Sequence, residues 1–354
     1  MFHKALWMRN YKLAASAVWA LYIVLFFLMP FSFYGKAASL KKDLDQFQNH
    51  PGDMTLYFHF QGAEIAVILT LLLVGVAALL IGQERTTHST DLTFALPFSR
   101  KDIFLSKWIF GAAHIITSLL VNLLLCVLIL KFSILSDVTD AKFLLKFTSF
   151  VVPTSLAIFS FCMFIGTIAG TMVSQFILSL IFLFFPIGFL TLLGSFFTYN
   201  GFLNDPMHKL DGSLNLLGKI SELITLPIPL LQFMYFADEQ SKGVIDHQLN
   251  TPSMNAIIVA CVYLIITVLA GIWLFSRTKN ENNGKLLVFE KGKRFFMCGV
   301  VLCFALLGGM FGGEIFGSYG EPSYFAYYFS AVIGGIISYF ILRKFINVQL
   351  RLSR

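Results

Sequence analysis

The run from Ile65 to Gly82 reads IAVILTLLLVGVAALLIG and contains no charged side chain. A helix needs about 20 mostly apolar residues to cross the hydrocarbon core of a bilayer, so this run is long enough to span a membrane. Backbone amides in hydrocarbon must form their hydrogen bonds internally, and the run lacks the alternation that is typical of a barrel strand. It is therefore predicted to be a transmembrane helix.

Seven more runs of this kind lie along the chain. Of the 354 residues, 57% are hydrophobic and only 13% are charged, which is about half the charged share of an ordinary soluble domain. This composition excludes a soluble enzyme, a disordered chain and a small disulfide scaffold. The predicted fold class is an all-α polytopic membrane protein with eight spans: Leu13–Tyr34, Ile65–Gly82, Trp108–Leu130, Phe147–Ala169, Met172–Phe197, Ala256–Phe275, Phe295–Phe316 and Tyr324–Leu342.

The basic residues predict the orientation of these spans. Most of the 26 Lys and Arg residues, Lys107 among them, fall in the loops and tails on the side that carries both termini. The positive-inside rule makes that side cytoplasmic, and an even number of spans agrees with two cytoplasmic termini. The net charge of +7 is then explained by topology and lipid headgroups, so the lipid bilayer is an expected partner and nucleic acid is not.

A large extracytoplasmic segment, 200–255, is predicted between the fifth and sixth spans. Leucine and isoleucine recur at helical spacing from Leu214 to Ile224, and Pro227 ends the pattern. This amphipathic pattern indicates a helix in the outer leaflet or over the bundle. An ordinary structured loop is the alternative.

Small residues four positions apart predict close helix packing inside the membrane. The glycines at this spacing are Gly166 with Gly170, Gly308 with Gly312, and Gly309 with Gly313. Side chains suited to catalysis or metal binding do not gather in the sequence, because the five cysteines lie in apolar runs and the seven histidines are scattered. No catalytic residue or metal site is therefore expected, and the absence of a central chain of Asp, Glu or His residues in the spans argues against an ion-driven carrier.

The loop between the second and third spans carries the most information about function. It reads QERTTHSTDLTFALPFSRKDI from Gln83 to Ile103. Residues 84–96 can continue as a helix until Pro97, which disfavours a helical residue before it. Ser99 to Asp102 then fits an [ST]-x-x-[DE] N-cap. We predict a helix, a sharp turn and a second helix that enters the membrane, and we call residues 84–102 the elbow.

The elbow resembles the corresponding segment of permease subunits of ABC-2 type transporters, which reads approximately E-R-x-x-G-T-L-E-x-L-L-x-L-P-V-S-R. The residues that match its two ends are Glu84, Arg85, Leu96, Pro97, Ser99 and Arg100. Asp91 takes the place of the second acid, and Phe98 replaces the aliphatic residue. His88 and Ser89 stand where the family has Gly-Thr, which indicates a divergent member. The resemblance covers roughly residues 1–280.

The resemblance implies that the elbow of this chain is a cytoplasmic coupling helix, which docks in a groove of a separate ATPase subunit. An apolar groove would receive Leu92, Phe94 and Leu96, while charge pairs of Arg85, Asp91 and Arg100 would set the register. Residues 1–280 would form the six-helix permease domain. Residues 281–354 would add a cytoplasmic basic loop, two further spans and a short cytoplasmic tail.

The sequence contains no G-x-x-x-x-G-K-[ST] motif, so ATP and Mg are expected in the partner ATPase and no cofactor in this chain. The resemblance further implies a second permease subunit, identical or paralogous, and a place in a bacterial cell membrane. It favours export of an amphipathic cargo such as a peptide, an antibiotic or a lipid-linked compound. A non-transporting sensor or scaffold, which couples an envelope signal to the ATPase, is the alternative. A membrane enzyme is disfavoured because polar residues do not converge.

Overall fold

The computed structural model describes residues 4–49, 57–87, 89–200, 212–240, 244–278, 290–316 and 323–346. Among these residues, eight helical segments are long and apolar enough to cross a membrane, which confirms the all-α polytopic fold. They are Lys4–Asp45, Gly62–Thr86, Arg100–Phe132, Lys142–Ile168, Met172–Tyr199, Asn255–Arg277, Met297–Ile315 and Tyr324–Lys344. The first segment continues well beyond Tyr34, where the predicted first span ends.

The segments divide into numbered elements. The helices are α1 (Lys4–Phe26), α2 (Ser32–Asn49), α3 (Gly62–Ala77), α4 (Gln83–Thr86), α5 (Thr90–Phe94), α6 (Arg100–Phe132), α7 (Leu135–Val138), α8 (Lys142–Ile168), α9 (Met172–Tyr199), α10 (Gly212–Ile224), α11 (Ile228–Gln232), α12 (Asn255–Arg277), α13 (Glu290–Ile315) and α14 (Tyr324–Ile346). The strands are β1 (Tyr57–Gln61), β2 (Met234–Gln240) and β3 (Val244–Asn250). The predicted amphipathic helix is present as α10.

Two π-helical turns interrupt the first two spans. The turn Phe27–Phe31 joins α1 to α2 and contains Pro30, whose ring nitrogen has no hydrogen to donate to a regular helix ladder. The turn Ala78–Gly82 joins α3 to α4 directly before the elbow. Single π turns of this kind insert an extra residue and redirect the side chains that follow.

A three-stranded antiparallel sheet, which the sequence analysis did not anticipate, joins two distant loops. Strand β1 follows the first span, whereas β2 and β3 precede the sixth. Phe58 pairs with Ala237 and Phe60 with Tyr235, and these four side chains are buried. Because successive residues of a strand point to opposite faces, the sheet has one buried aromatic face.

Aromatic rings under this face form the core beside the sheet. The rings of Phe143 and Tyr235 stack with centroids 4.2 Å apart, and Phe147 meets Phe60 edge-to-face at 5.0 Å. The Tyr235 hydroxyl accepts a hydrogen bond from Thr139 at 2.6 Å and lies 2.9 Å from Nδ1 of His247. Paired aromatic rings and a satisfied hydroxyl make this a specific, well-ordered core.

The described helices and strands fall into two compact units. One comprises Met1–Ile81, Leu96–Phe164 and Leu226–Ser276, and the other Gly82–Ala95, Ile165–Thr225 and Arg277–Arg354. The elbow contributes its first part to the second unit and its last part to the first. The organisation into residues 1–280 and 281–354 stays a prediction.

Four glycines of α13 lie at close contacts within the second unit. A Cβ atom added to Gly308 would lie 2.7 Å from the backbone oxygen of Ser330, and one added to Gly312 would overlap the Ser330 side chain. A Cβ atom on Gly309 or Gly313 would lie 2.8 Å from the ring of Tyr327 or Tyr199 respectively. Glycine at these four positions therefore allows α14 and α9 to approach α13.

The other predicted pair, Gly166 and Gly170, differs from the expectation. Gly166 lies in α8, and a Cβ atom there would lie 2.5 Å from the side-chain nitrogen of Gln175. Gly170 lies in the bend after α8 ends at Ile168, so it is not on the same helix face. The close contact at this site is made by Gly166.

Candidate functional site

The elbow begins with two short helices where the sequence predicted one. Helix α4 ends at Thr86 and α5 begins at Thr90. The hydroxyl of Thr87 donates to the Gln83 carbonyl at 2.9 Å, and the hydroxyl of Ser89 donates to the Glu84 carbonyl at 3.4 Å. Hydroxyl side chains compete with the helix ladder in this way, which explains the interruption. His88 lies outside the described residues.

The charged pair at the start of the elbow is buried. Glu84 and Arg85 are each 2% exposed. Nη2 of Arg85 donates to the Thr167 carbonyl at 3.2 Å, and Nη1 donates to the Ala169 carbonyl. The last carbonyls of a helix lack intrahelical donors, and a cation is favourable there. Arg85 thus caps the end of α8, in contrast to the expected charge pair with a partner.

Two further contacts bind α4 to the turn between α8 and α9. The Thr86 hydroxyl accepts a hydrogen bond from the Met172 amide, the first of α9, at 2.9 Å. A Cβ atom on Gly82 would lie 2.6 Å from Cα of Met172, so only glycine fits this approach. The Thr171 side chain caps α9 through a capping box with Ser174. The base of the elbow is therefore firmly attached within its unit.

Helix α5 presents an apolar side chain outward. Thr90 and Thr93 are buried, and the Thr93 hydroxyl donates to the Ser89 carbonyl at 3.0 Å. Leu92 is 73% exposed, while Phe94 is half-buried. The buried threonines fix the side of α5 that faces the protein, and the Leu92 side chain is left exposed beside it.

The last part of the elbow starts the third span. Ser99 Oγ accepts a hydrogen bond from the Asp102 amide at 3.1 Å, which confirms the predicted N-cap of α6. Pro97 is exposed, and Leu96 and Phe98 are half-buried. Arg100 donates to the Ser276 carbonyl, at the end of α12, at 3.4 Å.

Lys107 was missed by sequence reasoning, which counted it with the loop cations. It is 2% exposed, and its Nζ donates to the Leu80 carbonyl, in the π-helical turn Ala78–Gly82, at 2.5 Å. Ile103 and Phe104 lie four and three positions before it, so helical spacing places all three on one buried face. This spacing is the sequence signal that indicates burial of Lys107.

No ligand-binding cluster accompanies the elbow in the described part of the chain. Groups of three or more His, Cys, Asp or Glu residues that could hold a metal ion are absent there. The elbow is therefore held by hydrogen bonds to backbone carbonyls and carries an exposed apolar side chain. These features suit contact with another protein better than catalysis or ligand binding.

Comparison with known proteins agrees with this reading. The family model of the ABC-2 family transporter proteins matches residues 13–279. The chain belongs to this family. It is 23% identical over 273 residues to the Probable ABC transporter permease YtrD of Bacillus subtilis (strain 168), which covers 75% of this chain and 74% of that protein. No solved structure matches the chain.

The chain is therefore a transporter permease and a multi-pass cell-membrane protein of the ABC-2 family. Membership implies separate ATPase subunits as partners and a membrane component without its own catalysis. The match ends at residue 279, so α13 and α14 lie beyond the part that defines the family.

Proposed function

We propose that this permease exports an amphipathic cargo and that separate ATPase subunits dock on the elbow. Both termini and the elbow then lie in the cytoplasm, and the sheet lies outside. The observation that carries the proposal is Leu92, which α5 holds in solvent although its neighbours Thr90 and Thr93 are buried. Burial of one leucine side chain contributes about 1.5–3 kcal/mol, which is a useful anchor for a protein contact.

Apolar contact, more than charge pairing, determines how the ATPase binds in this proposal. Arg85 is buried and bonded to backbone carbonyls, and Arg100 reaches the Ser276 carbonyl. The apolar side chains of Leu92, Leu96 and Phe98 remain partly or largely exposed. An amphipathic element in an apolar groove is a common mode of peptide recognition.

Two permease subunits, each with one elbow, would form the transport path between them. ATP and Mg are bound by the ATPase subunits, whose closure moves the two elbows together. A ligand shifts a conformational equilibrium only by its difference in affinity for the two states, so ATP must favour the closed pair. The cargo is a peptide, an antibiotic or a lipid-linked compound.

Capture of an ABC ATPase subunit from the same organism tests the docking site. Leu92→Asp should reduce capture by the detergent-solubilised permease about tenfold or more, because burial of a carboxylate in an apolar groove costs well over 1.4 kcal/mol. Leu216→Asp is the matched control, since Leu216 is similarly exposed on α10. Equal capture by Leu92→Asp and wild type, or no capture by wild type, would contradict the proposal.

A sensor that does not transport is the second candidate, and the sheet β1–β3 is the observation that favours it. A folded module from two loops is suited to contact with an envelope component. Proteoliposomes with the ATPase separate the two functions. ATP-dependent movement of a fluorescent peptide or lipid-linked probe supports export, whereas stimulated ATP hydrolysis without flux of either probe supports the sensor.

A further inference from the structure

The base of the elbow and the turn between α8 and α9 are joined by four contacts. We call them the elbow–turn joint: Gly82, Arg85 and Thr86 on one side, and Thr167, Ala169 and Met172 on the other. We propose that this joint transmits displacement of the elbow to α9 and that Arg85 is its positioning residue. The inference rests on the proposed docking of an ATPase at the elbow.

Arg85 supplies the two hydrogen bonds that fix the orientation of the joint. Its planar guanidinium reaches two carbonyls at the end of one helix, Thr167 and Ala169, and burial keeps water from replacing either bond. An unmade hydrogen bond to a buried group costs free energy, so the two sides separate only with a penalty. Lysine can bond as a point charge, but it cannot reproduce the two-pronged geometry.

Thr86 and Gly82 supply the contact with α9 itself. The Thr86 hydroxyl accepts a hydrogen bond from the first amide of α9, and Gly82 lies directly against Met172 Cα. The hydrogen bond resists separation of the two segments, and the backbone contact resists their approach. Movement of α4 in either direction is therefore passed to the start of α9.

Helix α9 can carry that movement along its length. It runs from Met172 to Tyr199, where the Tyr199 ring lies against Gly313 of α13. The helix is unbroken across Pro186, which lacks the amide hydrogen for one i→i−4 bond, and it ends in a packed contact, so it connects its two ends. The joint thus links the elbow, through α9, to the α13–α14 hairpin beyond the family match.

Cysteine reactivity at the start of α9 tests this transmission. Val173→Cys, at a partly exposed position, is placed in a background with Cys261→Ser, Cys298→Ser and Cys303→Ser. Reconstituted permease and ATPase are treated with a non-hydrolysable ATP analogue, and the rate of maleimide labelling is measured. We expect an ATP-dependent change in rate with Arg85 present, loss of that change in Arg85→Gln, and partial recovery in Arg85→Lys.

Docking is measured in the same samples to separate transmission from damage to the fold. The permease concentration that half-saturates ATPase capture should stay unchanged in Arg85→Gln. Lys101→Gln is the control, because it removes the same charge from an exposed position of the elbow that lies outside the joint. If Arg85→Gln docks normally and keeps the ATP-dependent labelling change, or if it loses docking in proportion to labelling, transmission by Arg85 is wrong.

Failure of the proposed docking can be distinguished from failure of transmission by Arg85. If wild-type permease captures no ATPase, docking at the elbow is overturned, and transmission falls with it. Hydrogen exchange of the permease alone then still reports on the contact: Arg85→Gln should speed exchange of the Met172–Gln175 amides, and Lys101→Gln should not. Unchanged exchange in Arg85→Gln would show that the joint does not hold α9.

Discussion

Buried basic side chains that bond backbone carbonyls are the main feature of this protein at the scale of single residues. Arg85 binds the end of α8, and Lys107 binds a carbonyl of the π-helical turn before the elbow. Positive residues near the cytoplasmic ends of spans are usually discussed as signals for topology. Arg85 and Lys107 here satisfy carbonyls that an irregular helix leaves without a donor.

Lys107→Met tests this structural use of a cation. Methionine keeps the length of the side chain but leaves the Leu80 carbonyl without this donor, and an unsatisfied buried carbonyl costs about 1–3 kcal/mol. We expect a lower thermal midpoint for the purified protein in detergent. Lys101→Met is the control, because Lys101 is exposed at the start of the same helix. Equal midpoints for both variants would count against the assignment.

At the scale of elements, the elbow and the α13–α14 hairpin depend on opposite properties. The elbow is formed where the regular helix is interrupted. Thr87, Ser89 and Pro97 stop the helix and leave short elements with exposed apolar side chains. The hairpin depends on uninterrupted helices, because the glycines of α13 keep two long helices in contact.

The turn of the elbow is tested by a double variant, Leu96→Gly with Pro97→Asp. It removes an apolar side chain and the residue that ends the helical run, so it should abolish stimulation of the ATPase. Insertion and abundance in the membrane should be unchanged, as measured by quantitative blotting of membrane fractions. Loss of the protein from the membrane would instead show that the segment is needed for folding.

Replacement of Lys219 and Glu222 by alanine is the matched change on another exposed element. Both side chains are exposed on α10, away from the elbow in sequence. We expect normal capture of the ATPase by this variant and, at most, an altered response to cargo. Weaker capture would place α10 in the docking surface.

The hairpin is tested by Gly308→Leu. A side chain at Gly308 meets backbone atoms of α14 that cannot move aside locally, and overpacking costs about 1–3 kcal/mol. A lower thermal midpoint is expected. Gly299→Leu on the same helix should have little effect, because a Cβ atom there meets nothing within 4 Å. A similar loss in both variants would show a general cost of leucine in α13.

At the scale of the whole molecule, orientation is the property on which docking depends. The elbow can meet an ATPase only from the cytoplasm, and the sheet must then lie outside. Cysteines introduced by Lys101→Cys and Gln248→Cys, both at exposed positions, report on the two sides. With a membrane-impermeant maleimide, Gln248→Cys should label in intact cells and Lys101→Cys only after permeabilisation. The reverse result would exclude cytoplasmic docking.

Local signals in the sequence were enough to predict the spans and the cap of α6. Long apolar runs have few structural alternatives, and Ser99 with Asp102 is a complete motif within four residues. The sheet could not be predicted in the same way, because β1 is five residues long and its partner β2 begins more than 170 residues later. The burial of Arg85 was also hidden, since it depends on carbonyls of a bend over 80 residues away.

The pairing of β1 with β2 also has a consequence for how the protein is made. Ribosomes add about 5–20 residues per second, so β1 waits roughly 10–35 s for its partner strand to be synthesised. During that interval the aromatic side chains of Phe58 and Phe60 lack the cover that Tyr235 and Ala237 later provide. The nascent chain therefore passes through a stage at which this strand has an unpaired edge, which is a surface prone to aggregation.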